Sequence, residues 1–321
     1  MKKTFILILL VVSLSFSREY SLSFLKLPTT ARYSALAAYI AISDDIAGIF
    51  CNPSGLVNSN YQIGFSHNEH FQQIKYDMLG FILPRRKYVL SVGVTMLSST
   101  GIEGRKGDKD LDPAYINIYQ VTEPEFDYDI LDIQAGVGIA KMVSSKLSSG
   151  LTLKYVSEKI YDVEGKTFLF DTGLMYELSK SLRLGFVLNN FGLPIKYVER
   201  YYPAYAQIGL GCGYSIERIR LVVDIIKPVY DDLFVTFGSE LKILEFLFLR
   251  LGYKYKPEGW QVDDIISGGS LGVGVNYFGI KVDYSITSFG MLGLSHKISV
   301  IVEIDKMGKY YKLLREWLFR R

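Results

Sequence analysis

From residue 61 onward the sequence alternates between apolar and polar residues with a period of two. Leu131, Ile133, Ala135, Val137 and Ile139 are separated by Asp132, Gln134, Gly136 and Gly138. Leu182, Leu184, Phe186 and Leu188 alternate with Arg183, Gly185 and Asn189, and Ile219, Leu221, Val223 and Ile225 with Arg220 and Asp224. Leu247, Leu249, Leu251, Tyr253 and Tyr255 alternate with Arg250, Gly252 and Lys254, and Ile280, Val282, Tyr284 and Ile286 with Lys281, Asp283 and Ser285. Successive side chains of a strand point to opposite faces, so each segment has one apolar face and one polar or glycine face.

About fourteen such strands are expected, at 61–70, 72–84, 87–97, 129–142, 147–159, 165–178, 181–190, 203–216, 218–227, 233–243, 246–256, 268–278, 279–288 and 294–304. Most reach ten residues or more, beyond the ~5–6 of soluble strands and right for a tilted strand crossing a bilayer. The connections carry an independent signal. Tight links at 84–87, 143–146, 179–180, 215–218, 244–245 and 278–279 alternate with mostly longer ones at 98–128, 190–202 and 257–266. Short turns at one end and long loops at the other are the order of a transmembrane antiparallel β-barrel, and a Greek-key sandwich has no reason to keep it.

Composition agrees with an all-β barrel. Hydrophobic residues make up 49% of the chain, with 24 Tyr and 19 Phe, yet no second apolar run reaches the ~18 residues of a membrane helix. The first such run is shorter: Lys2 and Lys3 precede the apolar stretch 5–12, and Ser15 and Ser17 suit cleavage after residue 17. Residues 1–17 are therefore read as a signal peptide, a retained anchor helix being the weaker alternative, and a bacterial outer-membrane location follows. A net charge of +3 gives no nucleic-acid footprint. Cys51 and Cys212 are read as two buried free thiols, although export would permit their pairing.

Residues 18–60 do not alternate. Small-residue helical turns over 31–41, an acidic turn and the stretch 46–56 suit a plug inside the lumen, with a periplasmic arm as the alternative. Asp44 and Asp45 can cap a helical turn, Asn52 and Pro53 favour a turn, and Gly55 can take a positive φ. These five residues are read as a rigid turn within the lumen rather than as ligand contacts.

Phe24-Leu25-Lys26-Leu27, then Ala31-Arg32 with small residues to Ala38, then Ser43-Asp44-Asp45-Ile46-Ala47-Gly48-Ile49-Phe50-Cys51-Asn52-Pro53-Ser54-Gly55-Leu56 resembles the N-terminus of PorV/PorQ-type outer-membrane proteins. The Asp-Asp and Asn-Pro elements are also similar to the plug of FadL-type long-chain fatty-acid transporters. The end of the barrel, from Val282-Asp283-Tyr284 through Phe289-Gly290 to His296-Lys297-Ile298-Ser299, looks like the PorV/PorQ closing hairpin. Tyr33, Ala35, Ala37 and Ala38 stand where that family has glycines, and Cys51 where it has an aromatic. The resemblance implies a non-enzymatic partner of a type IX-like protein-export system, in contact with outer-membrane lipid and with secretion-machinery proteins or exported cargo. The alternative is a FadL-like passive transporter holding a hydrophobic ligand in its lumen.

Charges in the polar phase are candidates for the lumen: Lys154, Arg183, Arg220, Asp224, Arg250, Lys254, Lys281, Asp283, Lys297 and Glu303. A paired network joining strands and plug is the expectation, a selectivity lining the sharper alternative. Asp108, Asp110 and Asp112 are spaced like a calcium loop, but Pro113 replaces the turn glycine and Tyr119 the closing Glu, so a solvated acidic loop is expected. His67 and His70 face opposite sides of a strand and promise no metal site. No nucleophile pairs with His67, His70 or His296, and Gly268 to Gly274 lead into a strand rather than a helix, so neither enzyme nor cofactor is expected. Glycines 209, 211 and 213 share one face and suggest close approach by bulk across from them. Residues 306–321 have apolar and basic positions at helical spacing, an amphipathic surface helix.

Overall fold

The computed structural model describes residues 19–70, 74–104, 126–256 and 267–306. The expected signal peptide, the core of the acidic loop and nearly all of the C-terminal helix lie outside these residues.

The alternating segments form β1 (Gln62–Glu69), β2 (Lys75–Pro84), β3 (Val89–Gly104), β4 (Phe126–Met142), β5 (Leu147–Ile160), β6 (Val163–Glu177) and β7 (Leu182–Gly192). A short hairpin of β8 (Ile195–Tyr197) and β9 (Arg200–Tyr202) follows. Then come β10 (Gln207–Ile216), β11 (Ile219–Pro228), β12 (Phe234–Leu244), β13 (Leu247–Tyr255), β14 (Gly269–Tyr277), β15 (Ile280–Ser288) and β16 (Leu294–Glu303). All but β8 and β9 pair antiparallel with their neighbours in one closed barrel, and β1 meets β16 in the register Gln62↔Glu303. Fourteen strands close the sheet, the number expected from the alternation.

Most boundaries fall within two or three residues of those expected, and three differences have a structural cause. The strand expected from 203 begins at Gln207, because Ala204 is held in an isolated parallel bridge to Ser21 that is not part of the barrel sheet. The β8–β9 hairpin occupies a connection read as loop. β3 and β4 also run further than expected, to Gly104 and from Phe126, across a register shift between Ser99 and Ile102.

Both chain ends of the barrel lie with the tight turns, which we call the turn side; the opposite end is the loop side. The wall is turned inside out relative to a soluble barrel. Leu151, Leu153, Leu210, Leu221, Leu249, Leu251 and Leu271 are exposed on its outer face, while Thr152, Lys154, Asp224, Arg250 and Asp283 are buried on its inner face. Exposed aromatic rings band the outer face near both ends. Phe246 and Tyr277 stand 6.1 Å apart on the turn side, and Tyr155 and Phe168 5.6 Å apart toward the loop side. Among the described residues no helix is long and apolar enough to cross a membrane.

Candidate functional site

The N-terminal segment lies against the inner face of the wall. Its helix α1 (Ala31–Leu36) stops five residues short of the expected 41, with Ala37 in a left-handed conformation at φ 56°. Asp224 explains the break: its Oδ2 accepts from the backbone N–H of Tyr39 at 2.6 Å and of Ile40 at 3.0 Å, pulling the chain out of helix toward β11. Two 3-10 turns follow, Ile46–Ile49 and Pro53–Asn58.

The acidic and Asn-Pro motifs build these turns. Asp45 caps the first by accepting from Ala47 N–H at 3.0 Å; Asp44, expected to share that work, instead meets Arg32 Nη1 at 2.7 Å. Burial pushes both carboxyls up. For Asp44 the positive charges of Arg32, Arg220 and Lys281 outweigh it and hold the group well below the usual carboxylate range. Asp45, with Asp44 as an anionic neighbour, ends above its ordinary value. Asn52 Oδ1 accepts from Ser54 N–H at 3.2 Å and from Ser54 Oγ at 2.6 Å, and Asn52 Nδ2 donates to the Ile40 carbonyl at 2.8 Å. Pro53 opens the second turn. Gly55 does not take the positive φ expected of it; it is there because a Cβ would collide with the Ser43 carbonyl.

The wall receives this segment through glycines. Gly64, Gly80, Gly93 and Gly136 are consecutive cross-strand partners on β1 to β4. A Cβ on Gly93 would stand 2.8 Å from the Phe50 ring. Further round, Gly173 faces Asn52, Gly211 faces Ile40 and Gly238 faces the Leu36 carbonyl. Lacking a side chain, each lets the segment's backbone come to the sheet. The expected close approach at residues 209–213 is thus made by Ile40, Ala41 and Ile42.

The inward charges fall into three groups. Arg32 reaches Asp44, Asp45 (3.1 Å) and Glu240 (3.4 Å); Glu240 also holds Arg220 at 3.2 Å and Arg250 at 2.7 Å, and Arg250 continues to Asp283 at 2.6 Å. Lys154 pairs with Asp171 at 2.5 Å where β6 and β7 shift register, both fully buried, and Lys154 also donates to Asn190. Lys281 pairs with Glu303 at 2.6 Å, and Arg183 with Glu177 at 3.3 Å, both near the turns. Asp224 has no cationic partner among the described residues and accepts backbone N–H instead. Sequence reading missed Arg32, Glu240 and Asp171. The last two stand in the same phase as Gly238 and Gly173 on their strands, a signal that places them inward.

On the loop side a cavity of about 420 Å³ opens between the wall and a strap formed by residues 20–29. Leu27, Tyr39, Ile226, Phe234 and Leu292 give it apolar walls, and Lys26, Lys254 and Lys297 add three ammonium groups. Lys26 is paired with Asp231 at 3.2 Å. Lys254 and Lys297 form no ion pair among the described residues: Lys254 lies 3.9 Å from the Phe234 ring centre, and Lys297 lies 5.2 Å from that of Tyr76 and donates to the Pro28 carbonyl.

The remaining candidates do not converge. His67 Nδ1 lies 2.6 Å from Asp77 Oδ1, and among the described residues no three His, Cys, Asp or Glu side chains are placed to hold a metal. Cys51 is buried inside and Cys212 is exposed on the outer face, so the wall separates the two thiols, and the reading of both as buried is corrected.

Comparison with family models gives no match, and no curated protein matches. Solved structures do resemble the fold. The toluene transporter TodX of Pseudomonas putida is 13% identical with a TM-score of 0.63, covering 87% of this chain and 98% of that one. A TodX variant described as a monoaromatic hydrocarbon channel is 13% identical with a TM-score of 0.60, covering 85% and 97%. A FadL homologue of Pseudomonas aeruginosa is 11% identical with a TM-score of 0.54, covering 90% and 100%. The chain is thus an all-β, closed antiparallel barrel of the kind seen in FadL- and TodX-like outer-membrane channels.

Proposed function

We propose that this protein sits in the bacterial outer membrane, with its N-terminal segment acting as a plug, and passes hydrophobic molecules that carry an acidic group. The outward leucines, the aromatic bands and the turn-and-loop order support the membrane setting. The observation that carries the function is the loop-side cavity. Its walls are apolar, yet Lys254 and Lys297 stand there with ring faces and a carbonyl for company and no carboxylate among the described residues. A buried ammonium without a counter-ion favours an anion, and an apolar wall beside it favours an anion on a hydrocarbon body. No chemistry is asked of the protein; the ligand descends once the plug shifts, and the protein is a conduit rather than an enzyme.

The names of the structural neighbours favour this reading over the export partner implied by the PorV/PorQ resemblance. The residues that carry that resemblance also have a packing role: Asp45, Asn52, Pro53 and Gly55 build turns against the wall. The test is uptake into liposomes. Fatty acid should enter faster than into protein-free vesicles and faster than the matching alcohol. No uptake, together with co-purified export components, would overturn the conduit in favour of the export partner.

A further inference from the structure

The turn-side rim is electrically lopsided. The turns β2–β3, β4–β5 and β6–β7 carry Arg85, Arg86, Lys87, Lys141, Lys146 and Lys180, and residues 84–89, 141–147 and 178–182 contain no Asp or Glu. Glu177, just outside, is taken by Arg183 at 3.3 Å. Arg86, Lys87, Lys141, Lys146 and Lys180 are exposed and form no ion pair among the described residues.

These turns are neighbours in space. Val89 pairs with Ala140, and Leu147 with Tyr176, so the three tips form one continuous arc. Exposed apolar side chains interleave with the charges: Tyr88, Met142, Val143 and Leu178. The opposite arc is built differently. There Glu217 sits next to Arg218, Lys242 pairs with Glu245, and the last turn is Phe278-Gly279 without charge.

We propose that the arc from β2 to β7 is a binding surface for anionic phospholipid headgroups at the turn-side leaflet. Strands crossing a bilayer place their tight turns at headgroup level. A row of free ammonium and guanidinium groups there meets phosphate, and the apolar residues between them dip toward the acyl region. An acidic protein or glycan would satisfy the charges but not Met142, Val143 and Leu178, which point to lipid. The proposal goes beyond the conduit reading and does not depend on it, since it concerns lipid and not the lumen.

The test uses the full chain in nanodiscs of phosphatidylethanolamine with a minority of phosphatidylglycerol, and reads the lipid retained by the protein by mass spectrometry. Phosphatidylglycerol should be enriched several-fold over its bulk share, and enrichment should fall with added salt. Successive neutralisation in the series K87Q, K141Q, K146Q, K180Q and R86Q should lower it stepwise, until the variant carrying all five retains phosphatidylglycerol at its bulk share. Neutralising Lys75, Lys159 and Lys196 on the loop side should leave it unchanged. Heat-resistant gel mobility reports that each variant has folded, and the single substitutions suffice if the variant carrying all five does not fold. No enrichment in the wild type, or enrichment that survives the series, overturns the proposal.

Discussion

On the turn side of the lumen the N-terminal segment meets the wall through glycines, backbone hydrogen bonds and the Arg32–Glu240–Arg250–Asp283 chain of ion pairs. On the loop side the same polypeptide crosses the opening as a strap, with Leu22 and Phe24 packed on Tyr76, Val156 and Leu169, and a cavity of about 420 Å³ remains beside it. The contrast in charge is as sharp. Inward-facing cations on the turn side, Arg32, Arg220, Arg250 and Lys281, are matched by carboxylates, whereas Lys254 and Lys297 above are matched by aromatic rings. On the conduit reading proposed above, the turn-side half would hold the resistance to passage and the loop-side half the ligand, so variants should divide into those that open the lumen and those that change what enters it.

The largest effect is expected at Glu240, where three guanidinium groups converge on one buried carboxylate. Glu240→Gln removes the carboxylate the three share, leaving Arg32 with Asp44 and Asp45, Arg250 with Asp283, and Arg220 with no ion-pair partner among the described residues; breaking a buried pair in this way costs about 3–5 kcal/mol. Urea unfolding in detergent micelles should show that loss. Glu240→Gln combined with Arg220→Met should be less destabilised than the two changes summed, because the charge stranded by the first change has gone. A loss under about 1 kcal/mol for Glu240→Gln would mean that the lower half is held by packing alone.

Second is Gly173→Leu, which puts a side chain where Asn52 Oδ1 sits. Overpacking of this kind costs about 1–3 kcal/mol, and here it can be relieved by moving the segment rather than the wall. The readout is Cys51. Its thiol is buried, and burial pushes it up, so in a Cys212→Ser background maleimide should label it slowly. Gly173→Leu should speed labelling at least tenfold, by an opening shift of about 1.4 kcal/mol, and raise conductance across a planar bilayer. A folded barrel with unchanged labelling would show that the segment does not yield there.

The same contrast explains what could be read from the chain alone. Fourteen strands, their inward phase and the inward placement of Lys154, Asp224, Arg250 and Asp283 follow from a period of two, which geometry imposes on every residue of a strand. The contacts of the N-terminal segment obey no period. That Arg32 would reach Glu240, 208 residues away, depends on where a six-residue helix stops; that stop is set by Asp224, itself assigned inward without a partner. The glycine row was nearly legible. Gly64, Gly80, Gly93 and Gly136 each occur in the polar phase of a strand, but their alignment needs the register, and register is fixed by pairing.

Third in size is the charge of the cavity. Lys297→Gln and Lys254→Gln each remove an ammonium group that has no carboxylate partner among the described residues. A hydrogen bond to a charged group is worth about 1.5–3 kcal/mol, so binding of a fatty acid should weaken roughly tenfold or more, while a neutral aromatic hydrocarbon should be nearly unaffected. Equal loss for both ligands would make the lysines structural supports and remove the basis for anion preference.

The smallest effect is expected where the strap is tied down. Asp231, in the loop between β11 and β12, accepts from Tyr20 Oη at 3.1 Å and pairs with Lys26 at 3.2 Å and Lys256 at 2.8 Å. Burial would raise its carboxyl, but hydrogen bonds from Lys256 and the Asp232 N–H, with the charges of Lys26 and Lys256, hold it well below the usual range. A carboxyl depressed in the folded state stabilises that state fully above its unfolded value, near 4, and the contribution disappears as pH falls toward the depressed value. The group is partly exposed and screened, so Asp231→Asn should cost at most about 1 kcal/mol at pH 6. The gap between wild type and variant should then narrow steadily below about pH 4. A gap that is constant with pH would assign the tie to the shape of the loop rather than to the carboxylate, and the loop-side half would lose an ion-paired clasp between strap and wall.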